Sequence, residues 1–235
     1  MIFQGSHIRT MVVGLIVALL GLGGLVGCGC GKRGEGTPAA SSSDPIYVAT
    51  AKEKAVLALE RKGKRSELPL PPPQNLYQGD VVENTGPKAA LLTDFKRGHR
   101  FTLAPATRVM LEDGRLTVYK GGTRLVFKRS GGEFKVVLPG NATLGVRGTE
   151  LIVVVTDDGR TVVRMLDGRV DLERDGTITP LSTPQTALLG PASAPLQIVA
   201  DPASLTADLL ADPAAAAIGL GSDTELVERD RDSAY

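Results

Sequence analysis

The sequence predicts an all-β fold, a single domain of short stacked antiparallel strands in a distorted sandwich or solenoid-like arrangement over residues 47–199. Three observations lead there. Apolar residues recur at every second position in Leu116/Val118, Phe134/Val136/Leu138, Leu151/Val153/Val155 and Val170/Leu172, as half-buried strands require. Turn signals interrupt these runs about every ten residues. Asp113-Gly114-Arg115, Asp158-Gly159-Arg160 and Asp167-Gly168-Arg169 repeat one tripeptide, whose Asp and Gly tolerate the positive φ of a tight hairpin. The chain of 235 residues holds 28 Gly and 15 Pro yet is 42% hydrophobic, a balance that suits strands joined by tight turns. About ten strand candidates follow, and no convincing helix.

From the start of the chain, Met11 to Gly27 is an uncharged run of 17 residues, five of them Gly, preceded by Arg9. It is short for a bilayer span. A basic residue, an apolar stretch and small residues at its end are the parts of a secretory signal. Leu25-Val26-Gly27-Cys28 resembles the lipobox of bacterial lipoproteins. That resemblance implies cleavage before Cys28, with a covalent diacylglycerol and an N-acyl chain on Cys28 and no other cofactor. It also implies a place on the periplasmic face of an envelope membrane, and Gly29, rather than Asp, implies the outer one. Residues 1–27 thus read as a signal peptide and 28–46 as a flexible tether of Gly, Ser, Pro and charge. Residues 200–235, with 8 acidic and 2 basic side chains and repeated Asp-Pro, read as a mostly disordered acidic tail. Its charge opposes that of the domain, which it could sweep.

The first element of the domain is ambiguous. Ala51 to Lys64 is rich in helix formers, while the alternation of Ala55, Leu57 and Leu59 permits a strand.

Composition excludes several functions. With 27 basic and 26 acidic residues, a nucleic-acid partner is not expected. Five Phe, four Tyr and no Trp supply little stacking surface for sugars or bases. Two His and two Cys leave little for a metal cage or a nucleophile–base pair, so no catalytic, cofactor-binding or metal residue is expected, and no enzyme. His99, amid Lys96, Arg97 and Arg100, reads as part of an exposed turn, and Asp157-Asp158 as a solvated one.

Two constellations remain. In Arg147-Gly148-Thr149-Glu150, Gly148 breaks a strand pattern and suggests a bulge. Arg147 and Glu150 form either a mutual ion pair that fixes the strand or a contact site. Lys120, Arg124, Lys128, Arg129 and Lys135 form a basic face across two strands, either solvated or directed at acidic glycan or lipid headgroups.

The order of segments, from Gly79-Asp80-Val81-Val82-Glu83-Asn84-Thr85-Gly86 through Ala89–Leu92, Phe101–Leu103, Thr107–Val109 and Phe134–Val136 to Val146-Arg147-Gly148-Thr149-Glu150-Leu151, resembles the FecR-domain family. The resemblance covers about residues 50–190. It implies an all-β periplasmic module and turns Ala55–Glu60 toward an opening strand. The family's cytoplasmic sigma-factor-binding region has no counterpart in the ten residues ahead of the apolar run. The expectation is therefore a lipid-anchored, non-catalytic module for binding or scaffolding another envelope protein. Signal transduction of the sigma-factor and iron-uptake type is the alternative.

Overall fold

The computed structural model describes residues 44–190, 194–200 and Ile218, so Cys28, the tether up to residue 43 and most of the acidic tail lie outside the described residues. The chain forms β1 (Tyr47–Thr50), β2 (Ala55–Arg61), β3 (Lys64–Leu70), β4 (Gln74–Leu76), β5 (Val81–Asn84) and β6 (Ala90–Asp94). It continues with β7 (Arg100–Leu103), β8 (Arg108–Glu112), β9 (Arg115–Val126), β10 (Phe134–Leu138), β11 (Ala142–Val146) and β12 (Glu150–Val155). Last come β13 (Thr161–Asp167), β14 (Arg169–Arg174), β15 (Thr177–Ser182), β16 (Thr186–Leu189) and β17 (Gln197–Val199). The fold is all-β. The described strands number seventeen against about ten expected; β3, β4, β15 and β17, polar or very short, are among those that carry no apolar alternation.

The strands form two layers that share one member. The first layer runs β4-β1-β6-β7-β9-β12-β13-β16-β17, with every pairing antiparallel. The second runs β3-β2-β5-β8-β9-β10-β11-β14-β15, antiparallel except for β9 beside β10. The first half of β9 pairs with β8 and β10, and its second half with β7 and β12. Four strands thus lie on each side of β9 in each layer. The bend falls at Gly121-Gly122. Gly121 has φ +86°, and a Cβ there would sit 2.5 Å from the Cα of Thr107. The Thr107 hydroxyl donates to the Gly122 carbonyl at 2.8 Å and accepts from its N–H at 3.0 Å, which holds the bend closed.

Between the layers, alternate residues of both inner faces meet in one core, including Leu57, Leu92, Phe101, Leu116, Leu125, Phe134 and Leu144. The ambiguous segment is β2, antiparallel to both β3 and β5. Its inward Ala55, Leu57 and Leu59 are buried, so tertiary packing outweighs helix propensity. Asp113-Gly114-Arg115 and Asp158-Gly159-Arg160 lie at the β8–β9 and β12–β13 hairpins. Asp167-Gly168-Arg169 is not a hairpin; it carries the chain from β13 in the first layer to β14 in the second. In all three only the Gly takes positive φ. Consecutive residues with positive φ occur instead at Lys62-Gly63, Gly140-Asn141 and Asp175-Gly176, in the turns of the β2–β3, β10–β11 and β14–β15 hairpins.

Candidate contact groove

A sheet with one solvated face should alternate apolar and polar side chains. The outer face of the first layer does not. Register places Thr50, Leu91, Thr102, Arg124, Ile152, Arg164, Thr186 and Val199 in one row across eight strands. Beside it, Val154 and Val162 face outward, yet both are buried. Together with Ala104, Ile152 and Ile218 they form a second apolar cluster, backed by Leu166, Leu188 and Val199. Ile218, from the tail region, therefore covers part of this face.

Next to that cover the face opens into a cavity of about 430 Å³, lined by Ala51, Ala89, Leu91, Val126 and Ile218, with Lys52, Lys88, Arg100 and Arg124 among its polar groups. Its size lies within the roughly 300–1,000 Å³ typical of ligand sites. Two of the cations are engaged. Lys88 meets Glu53 at 2.8 Å. Arg124 donates from Nε to the Glu150 carboxylate at 2.7 Å and also from Nη2. Arg100, half-buried on β7, has no side-chain ion pair or hydrogen bond among the described residues.

The sheet edges are poor docking sites. In the second layer both edge strands carry proline, Pro69 in β3 and Pro180 in β15, and β3 adds Lys64 and Arg65. In the first layer the edges, β4 and β17, are three residues long. Proline, charge and brevity each oppose the addition of a foreign strand.

The sequence-derived residues fall as follows. Arg147, Gly148 and Thr149 are not a bulge within a strand; they form the connection from β11 in the second layer to β12 in the first. The bulge lies one step later, between Glu150 and Leu151. Gly148 has φ +63°, and a Cβ there would meet the Arg129 Cγ at 2.2 Å. The Thr149 carbonyl accepts the Phe127 N–H at 2.8 Å. Glu150 pairs with Arg124, and Arg147 is exposed. The expected Arg147–Glu150 pair does not form, because Arg124 stands diagonally across from Glu150 on the adjacent strand.

The basic face is dispersed. Lys120 lies in the second-layer half of β9, meets Glu83 at 2.8 Å and holds that carboxyl below its usual range. Arg124 is nearly buried on the first layer. Lys128 follows β9 and Arg129 opens a one-turn 3-10 helix, Arg129–Gly131, while Lys135 is exposed on β10. The crossing of β9 between layers separates residues that sequence places together.

His99 is also corrected. It is fully buried, with Phe127 and Phe134 edge-on at 5.0 and 5.4 Å and Phe101 at 6.4 Å. Its Nδ1 accepts the Lys128 N–H at 3.1 Å. Burial pushes its pKa down. The neighbouring cations are what face outward, and Asp113 takes Lys96 at 2.7 Å and Arg97 at 2.6 Å. Asp113 is held below the usual carboxylate range by these bonds.

The groove itself was missed in the sequence. Its signal is the apolar residues at both odd and even positions of Glu150–Val155 and Thr161–Leu166, which bury both faces of β12 and β13. Among the described residues no cluster of three or more His, Cys, Asp or Glu could hold a metal.

No family model matches the chain, and no curated protein matches it. Among solved structures, two crystal structures of a candidate anti-sigma factor from Parabacteroides distasonis match at TM-scores of 0.45 and 0.44, with 13% identity in each case. Each match spans 51% of this chain and 58% of the other.

Proposed function

We propose that the chain is an envelope lipoprotein, held to the membrane through Cys28, whose FecR-like β-domain binds or scaffolds another envelope protein. The outer face of the first layer carries this reading. A sheet that faced only water would not line its outer surface with Leu91 and Val126 beside Arg100, which has no side-chain ion pair or hydrogen bond among the described residues. An apolar floor with a few fixed charges suits a protein segment, and the blunted edges turn contact away from strand addition and toward this face.

The test is site-specific photo-crosslinking in intact cells, from Leu91 in the groove and from Ile178 on the β15 edge. Adducts with an identified structural envelope protein from position 91, and none from 178, support the proposal. Capture of a membrane-spanning anti-sigma protein overturns scaffolding in favour of signal transduction. Absence of any adduct, with salt-sensitive binding to acidic glycan lost on neutralising Lys120, Lys128 and Lys135, overturns the choice of a protein partner.

A further inference from the structure

We infer that the groove is the docking place of the chain's own acidic segment, residues 219–235, which a partner must displace. This rests on the reading of the groove as a contact site and adds its regulation.

Ile218 is buried on the outer face and lines the cavity, so residues 219–235 are covalently attached through a residue of the groove wall. From there the sequence runs Gly219-Leu220-Gly221-Ser222-Asp223-Thr224-Glu225-Leu226-Val227-Glu228. In an extended chain Leu220 and Leu226 would project to one side and Asp223 and Glu225 to the other. That alternation matches an apolar floor of Ala51, Leu91 and Val126 bordered by the cations Arg100 and Lys52. Residues 219–235 carry five carboxylate side chains against Arg229 and Arg231. With Lys88 and Arg124 engaged by Glu53 and Glu150, Arg100 and Lys52 are the cations left to meet them. Attachment at Ile218 supplies an effective concentration in the millimolar range, so modest attraction suffices for docking. A separate acidic peptide would need far more affinity to reach the same occupancy.

The experiment uses the full chain and follows trypsin cleavage after Arg229 and Arg231 by mass spectrometry, with a synthetic 219–235 peptide as the unprotected reference. At about 50 mM salt the chain should be cleaved about tenfold more slowly than the peptide, and at about 500 mM the two rates should converge. Arg100→Glu should remove the protection, and so should Asp223→Asn combined with Glu225→Gln, which adds no trypsin site. Circular dichroism of each variant confirms the strand fold. Cleavage of the wild-type chain at the peptide's rate at low salt overturns the inference. So does protection that Arg100→Glu leaves intact, and so does protection that vanishes on dilution, which would place the segment on a second copy. Protection that persists in a chain yielding no crosslinked partner would leave docking standing while the partner reading fails.

Discussion

Glu150 binds the guanidinium of Arg124 through Nε and Nη2, and leaves Arg147, three residues before it in the chain, exposed. The pair is partly buried, with side-chain exposures of 10% for Arg124 and 25% for Glu150. Glu150→Ala should lower stability by about 2 kcal/mol, the scale of a charge-assisted hydrogen bond lost from a partly buried pair. Arg147→Ala should stay within about 0.5 kcal/mol, as for an ordinary surface change. Urea unfolding midpoints of the two variants check this. Equal losses would mean that Arg147 shares in holding the strand.

The glycines at the layer crossings should be far less replaceable than those of the hairpin tips. Gly176 has φ +77° with nothing within 4 Å of an added Cβ, so Gly176→Ala should cost only the left-handed backbone term of about 1–2 kcal/mol. Gly121→Ala adds a collision with the backbone of Thr107, and Gly148→Ala one with Arg129. Gly121→Ala should exceed the hairpin variant by at least about 1 kcal/mol, in the range of overpacked sites. Thermal unfolding of the three variants gives the order.

His99 makes stability depend on pH. Burial holds its folded-state pKa below the ordinary 6.5, so the unfolded chain binds the proton more readily. Stability from this residue is intact above about pH 7 and declines as pH falls through the unfolded value toward the depressed folded one. The slope reaches at most about 1.4 kcal/mol per pH unit. His99→Phe should flatten unfolding free energy between about pH 7 and 5.5. The carboxyls of Glu83 and Asp113, whose pKa values are lowered, act at more acidic pH and should be unaffected by this change.

The anchor is tested at Cys28. Cys28→Ala should release the protein from the membrane fraction as a soluble or unprocessed form, since stable anchoring takes two acyl chains or more. A variant that is processed and fractionates like the wild type would sink the lipid assignment.

Alternation made the central strands legible. Phe134, Val136 and Leu138 of β10, or Leu116 and Val118 of β9, point inward as their spacing requires. Partnerships across long stretches of sequence were not legible. Nothing in Lys96-Arg97-Gly98-His99-Arg100 announces that Asp113 draws the first two side chains outward while the imidazole turns into a cage of phenylalanines 28 and 35 residues further on. The charges from Lys120 to Lys135 misled for a related reason. Linear proximity implies a shared surface only if the chain stays in one sheet, and here it changes sheets at Gly121.

Because β9 supplies hydrogen bonds to β7, β8, β10 and β12 at once, the molecule has a single keystone. Removing it would expose four strand edges, two in each layer, and separate the N-terminal strands from the C-terminal ones. Neither group could then keep its backbone groups paired. Unfolding should accordingly be one cooperative event, without a stable half-molecule. The same geometry makes chain assembly slow, since β7 and β8 wait for a strand that must also receive β12.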